Sequence, residues 1–296
     1  MRLESSDNMN DLNLTHLNED VTIKTLSVPS VTGWEQMMRD FLITFADEHE
    51  MEHEVDSTGN VYLTKENVRD GEYYPCVCAH MDTVQSVQRK WITENKLLDI
   101  KTEEIDGQHQ YYCENFGLGA DDKAGIAICL SLFMSEPKLK GVFFVIEEAG
   151  CLGSEEANLS WFRDVGYIIA YDSPGKELSW ACGGARLFDR EFYEKYLADL
   201  VDEFKIKKFC NHPYTDIMML RRNTSLACMN VYAGYYHYHT NYESCIAEEM
   251  DEAVKLGKTM INRLGYNEYL IPYVDRMHDD HNEDDEFFFE KFGRYW

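Results

Sequence analysis

The chain has 296 residues, enough for one large α/β domain or about two average ones. With 44% hydrophobic and 13% aromatic residues it can bury a sizeable core, which excludes wholesale disorder. Its 28 basic and 54 acidic residues leave a net charge of −26, which argues against nucleic acid and anionic membranes as partners, since both require clustered cations. The longest apolar runs, such as residues 141–146, are too short to span a bilayer, and the first residues lack the apolar stretch of a secretory signal. A soluble, cytoplasmic protein is the expectation. Nine scattered cysteines include no Cys-x-x-Cys pair, so reduced, buried thiols are expected rather than a zinc knot or a disulfide framework.

In chain order, residues 1–20 are polar and aperiodic and read as a loosely ordered arm, with residues 21–296 forming a single domain. Met37, Met38, Phe41, Leu42 and Phe45 recur at helical spacing and predict a helix over 34–51. Val55 and Val61-Tyr62-Leu63 flank Ser57-Thr58-Gly59-Asn60, a hairpin signature. Next come a buried strand at 75–79, a helix at 123–134, a strand at 142–146 and a helix at 154–163. A strand at 167–171, a helix at 189–205, a strand at 226–232 and a helix at 244–264 complete the pattern. Such alternation predicts an α/β fold, a mostly parallel central sheet with helices on both faces in three layers. The acidic segment 279–290, which contains Phe287-Phe288-Phe289, reads as a solvated loop pinned by its aromatics, with a partner-docking tail as the alternative.

Polar clusters stand where the strands should end. His80-Met81-Asp82 follows the first buried strand; residues two apart share a strand face, so Asp82 is placed to orient His80, although a solvated pair reads the same way. Asp121 and Asp122 open a helix, where capping is the plainer role. Glu147-Glu148 and Asp172 each follow an apolar strand, and His239-Thr-Asn-Tyr-Glu243 follows the last one. Ligands in open α/β sheets bind outside the carboxyl ends of strands, which is where these groups converge. Histidines and carboxylates without thiolate suit a catalytic metal site, and their number fits two ions about 3.5–4 Å apart sharing a carboxylate.

In order and local wording, Ala79-His-Met-Asp-Thr83, Gly119-Ala-Asp-Asp-Lys-Ala-Gly125, Glu147-Glu148, Asp172 and His239 resemble the co-catalytic zinc exopeptidases, the clan of peptidase T, the aminoacylases and the bacterial leucyl aminopeptidases. The resemblance covers residues 30–265 and implies that fold. It also implies that His80 and Asp172 bind one metal, Glu148 and His239 the other, and that Asp121 bridges them. Asp82 then orients His80, Glu147 is the general base, and the peptide bond after Asp121 is cis. The cofactors implied are two divalent ions, zinc, with manganese or cobalt as alternatives. Only 66 residues separate Asp172 from His239, too few for the lid and dimerisation domain of members with this wording, so one compact catalytic domain is expected. Residues 211–216 look more like the lidless aminopeptidases, where a comparable Asp-containing turn lines the site.

The function expected is a metallo-exopeptidase, an aminopeptidase on short peptides. The alternatives are a deacylase on N-acyl amino acids with the same metals, and an inactive interaction module. His237 is the alternative ligand to His239, His212 a candidate substrate contact, and Cys245 a thiol with no activating context. Arg186, Arg221 and Arg222 could clamp a substrate carboxylate or simply be solvated.

Overall fold

The computed structural model describes residues 16–183, 185–209, 214–272, 286–288 and 291. Helices α1 (Glu19–Ser27) and α2 (Gln36–Glu48) precede the hairpin β1 (Glu52–Val55) and β2 (Val61–Lys65), and β3 (Tyr74–His80) follows. After α3 (Arg89–Glu94) comes a second hairpin, β4 (Lys101–Ile105) and β5 (Gln108–Tyr112). Next are α4 (Ala120–Ser135), β6 (Leu139–Phe144), α5 (Leu152–Glu155), a 3₁₀ segment (Leu159–Asp164) and β7 (Val165–Ser173). Short strands β8 (Glu177–Ser179), β9 (Ala181–Cys182) and β10 (Ala185–Arg186) lead to α6 (Arg190–Phe192), a π-helical turn and α7 (Ala198–Glu203). The remaining elements are β11 (Lys207–Phe209), α8 (Asp216–Thr224), β12 (Ala227–Tyr232), β13 (Tyr235–Tyr236), β14 (Ser244–Ile246) and α9 (Ala247–Leu264).

Eight strands form the central sheet in the order β1-β2-β6-β3-β7-β12-β8-β11. Its middle, β6-β3-β7-β12, is parallel, as expected, while the β1–β2 hairpin and β8 run antiparallel to their inner neighbours. The middle strands are buried along their whole length, which is why they read as unbroken apolar runs. Helix α4 lies on β3 and β7 beneath α1 and α9, and α8 lies against β3 and β12. Gly125 permits that close seat: a Cβ there would stand 2.2 Å from the Tyr171 carbonyl oxygen.

Several elements differ from the sequence reading. The helix expected at 154–163 is α5 plus the 3₁₀ segment, split where the Asn158 side chain accepts from the Ser160 N–H at 3.2 Å. Residues 244–246 are strand β14, so the last helix starts at Ala247. The arm expected through residue 20 is already helical from Glu19, capped by Asn18 and tied to α9 through the Leu17 N–H and Asp251 at 2.7 Å. A second antiparallel sheet, β13-β14-β5-β4, was not foreseen. All cysteines among the described residues are free and buried, and no described helix is long and apolar enough to cross a membrane. Most of the acidic segment 279–290 lies outside the described residues.

Candidate metal centre

His80 closes β3 and is buried. Its Nδ1 lies 2.9 Å from the Asp82 carbonyl oxygen and 3.5 Å from the Asp82 carboxylate, leaving Nε2 to face the centre. The Asp82 carboxylate does more than face His80. Oδ1 accepts from the Glu147 N–H at 2.9 Å; Oδ2 accepts from the Glu148 N–H at 3.2 Å and from Thr32 Oγ1 at 2.9 Å. Burial opposes its charge, yet the hydrogen bonds and charge of His80 and these donors outweigh that and hold the carboxyl below its usual range.

Asp121 sits in the kinked first turn of α4, before a cis peptide bond to Asp122. Its two carboxylate oxygens address two imidazoles: Oδ1 is 3.1 Å from His80 Nε2, and Oδ2 is 3.2 Å from His239 Nε2. Burial raises the cost of its charge, but the two histidines reverse the balance and hold it well below the ordinary carboxylate range. Asp122 accepts from the backbone N–H groups of His80 at 3.2 Å and Gly125 at 3.1 Å, tying the start of α4 to the end of β3.

The remaining groups close around this pair. Glu148 Oε1 is 3.0 Å from His239 Nε2, and Asp172 Oδ1 is 3.8 Å from His80 Nε2. Glu147 Oε2 stands 3.9 Å from the same His80 nitrogen. Asp172 is fixed by its backbone, which exchanges two hydrogen bonds with the Asn230 side chain at 3.1 and 3.0 Å, and by the Tyr235 hydroxyl at 3.3 Å. His239 is the exposed member, with 45% of its side chain accessible. Glu243, buried beneath it, accepts from the Gly119 N–H at 2.8 Å, the Asp121 N–H at 3.0 Å and Gln85 Nε2 at 2.9 Å.

All seven residues expected at the site from the sequence therefore converge. Two of the sets whose ligand atoms lie within 4.8 Å of one another are His80, Asp121 and Glu148, and His80, Asp122 and Asp172. His237 instead lines a groove of about 820 Å³ with Glu103, Tyr112, Glu114 and Tyr242. Arg221 is buried and braces the backbone, donating to the carbonyls of Arg186 at 2.9 Å and Pro272 at 3.1 Å; Arg222 faces the Gly183 carbonyl. Cys245 is buried in β14, where burial pushes its thiol up. His212 lies outside the described residues. Sequence reasoning gave no role to Tyr235 or Asn230; Asp216, the aspartate of the turn expected to line the site, has its carboxyl buried at the start of α8.

The donor set fits divalent cations. Lys123, the cation nearest in sequence, turns away and donates to the Leu26 and Val28 carbonyls at 2.9 and 3.3 Å. The carboxyls left together repel: burial and the neighbouring acids push Asp172 well above its usual range and Glu148 up to about 8, although His80 pulls both down. Imidazole nitrogens and carboxylate oxygens crowded this way suit zinc, manganese or cobalt.

No sequence-family model and no curated protein sequence matches the chain. Solved structures of peptidases nevertheless share its α/β fold. A tripeptidase from Staphylococcus aureus matches at 14% identity and TM-score 0.67, over 83% of this chain and 96% of that one. The aminopeptidase PepT from Bacillus cereus matches at 16% identity and TM-score 0.65, over 83% and 97%. An aminopeptidase from the archaeon Desulfurococcus kamchatkensis matches at 12% identity and TM-score 0.64, over 83% and 94%.

Proposed function

We propose that this protein is a dinuclear metallo-exopeptidase that removes the amino-terminal residue of short peptides. The observation that carries the reading is Asp121, whose two oxygens face His80 and His239 at 3.1 and 3.2 Å. One divalent ion would be held by His80 and Asp172, a second by Glu148 and His239, with Asp121 shared. Bound there, the ions would supply Lewis acidity to the scissile carbonyl and lower the pKa of a water.

The chain's own residues do the rest. Glu147, a buried carboxylate at the rim of the cluster, takes the proton of the attacking water and delivers it to the leaving amine. Asp82 holds the backbone of Glu147 and Glu148 while fixing the His80 ring, so base and ligands move as one unit. Glu147→Gln is expected to bind about two ions per chain, like the wild type, and to lose about 10²–10⁴ in kcat. Wild-type turnover in that variant removes Glu147 from the mechanism, and less than one ion per chain after loading with zinc, manganese or cobalt favours an inactive module. Paired free and N-acetylated peptides separate an aminopeptidase, which needs the free amine, from a deacylase, which cleaves only the blocked partner.

A further inference from the structure

Glu147 has two oxygens, and the structure treats them differently. Oε2 faces His80 Nε2 at 3.9 Å, while Oε1 accepts from the Cys151 thiol at 3.4 Å. That thiol is held where it is by its own backbone. The Cys151 N–H donates to the Glu147 carbonyl at 2.8 Å, as does that of Gly150, so the turn closes on the base it serves. Ser154 Oγ donates back to the Cys151 carbonyl at 3.1 Å. Cys151 is 1% exposed, and its φ of 59° lies in the left-handed region, where glycine would be the easier occupant. A side chain is thus carried at a position whose backbone favours having none, and its sulfur ends on the carboxylate.

We propose that Cys151 is a positioning residue for Glu147: its thiol donates to Oε1 and leaves Oε2 as the oxygen that carries the proton from water to leaving amine. The inference rests on the proposed peptidase reading. A thiol suits the task because it stays protonated here. Burial raises the cost of a thiolate, and the carboxyls of Asp216 and Glu147 raise it further. Without the donor, the carboxylate is free to rotate and exchange its oxygens, so the loss falls on the chemical step and not on substrate binding.

Three variants test this in the metal-loaded protein. Cys151→Gly removes the thiol and suits the left-handed backbone, so misfolding does not confound it; Cys151→Ala removes the thiol alone; Cys151→Ser retains a hydroxyl donor. The Gly and Ala variants are expected to lose about two- to tenfold in kcat, the rate equivalent of one hydrogen bond, with KM within about twofold and metal content unchanged. The Ser variant is expected to recover most of the loss. Wild-type kcat in Cys151→Gly, a loss expressed in KM, or a Ser variant as slow as Ala overturns the proposal. Infrared difference spectra provide a readout that needs no turnover: the S–H band lost in Cys151→Ala should move to higher frequency in Glu147→Gln, where an amide replaces the carboxylate. An unmoved band overturns the contact, whereas a moved band in a protein that cleaves no peptide refutes the peptidase reading alone.

Discussion

Asp82 shows how much one side chain can hold. Its two oxygens between them receive the Glu147 N–H, the Glu148 N–H and the Thr32 hydroxyl, and Oδ1 also lies 3.5 Å from His80 Nδ1. An asparagine there has the same shape but only one acceptor, so its NH₂ must confront a donor. Asp82→Asn is therefore expected to destabilise the protein by about 1–3 kcal/mol, the cost of a buried unsatisfied polar group, and to lower kcat through the displaced Glu147. Thr32→Val removes one donor and leaves the acceptor satisfied, so it should cost less. Equal urea midpoints for Asp82→Asn and wild type would show that the carboxylate does not hold this turn. At this scale the sequence was informative: the seven residues that the fold brings together stood in polar clusters after apolar strands or at a helix start, and the family resemblance picked them out of those clusters. What escaped was support by groups that look ordinary in sequence, such as Asn230 under Asp172 and Tyr235 above it.

Elements meet at Lys123, whose buried ammonium in the first turn of α4 donates to the carbonyls of Leu26 and Val28 at the end of α1. Burial pulls its pKa from 10.5 to about 8, more than nearby thiols and Glu243 push it up. Between those two values the unfolded chain binds more protons than the folded one, so this group's contribution to stability rises with pH across that window. Compared with Lys123→Met, the wild type should therefore gain about 2 kcal/mol from pH 7 to pH 9.5, read as the difference between two urea titrations. Parallel pH profiles for the two proteins would mean that Lys123 enters the folded state without deprotonating. The larger elements were readable because β3, β6, β7 and β12 are buried on both sides and α4 is apolar nearly all round. The β4–β5 hairpin was missed although Asp106-Gly107, with φ of 52° and 81°, is a turn signature, because Lys-Thr-Glu-Glu and Gln-His-Gln offer no apolar alternation. Helix α1 escaped for a related reason: only Val21 and Leu26 of its nine residues are buried apolar side chains, too few to show a helical period in sequence. Strand β14 was absorbed into the following helix because three residues are too few to show a period of their own.

For the whole molecule, a net charge of −26 sets the field a substrate meets before any contact. The groove beside the turn that carries His239 has the same sign, lined by Glu103 and Glu114 with no lysine or arginine among its lining residues. A peptide's free amine is thus favoured on approach over its free carboxylate, which agrees with amino-terminal cleavage. For a lysine-leading peptide kcat/KM is expected to fall as salt is added, and for a glutamate-leading peptide to rise or stay level. Identical salt slopes would remove the net charge from substrate choice. The ties of Glu243 to Gly119 and Asp121, 124 and 122 residues away along the chain, also have a consequence in time. During synthesis β3 and α4 leave the ribosome well before residues 239–243, so six of the seven clustered residues exist while the segment that completes the cluster has not been made. A cluster of this construction stays incomplete while the nascent chain is still unfolded, and can gather its full set of ligands only once the last segment has joined the folded sheet.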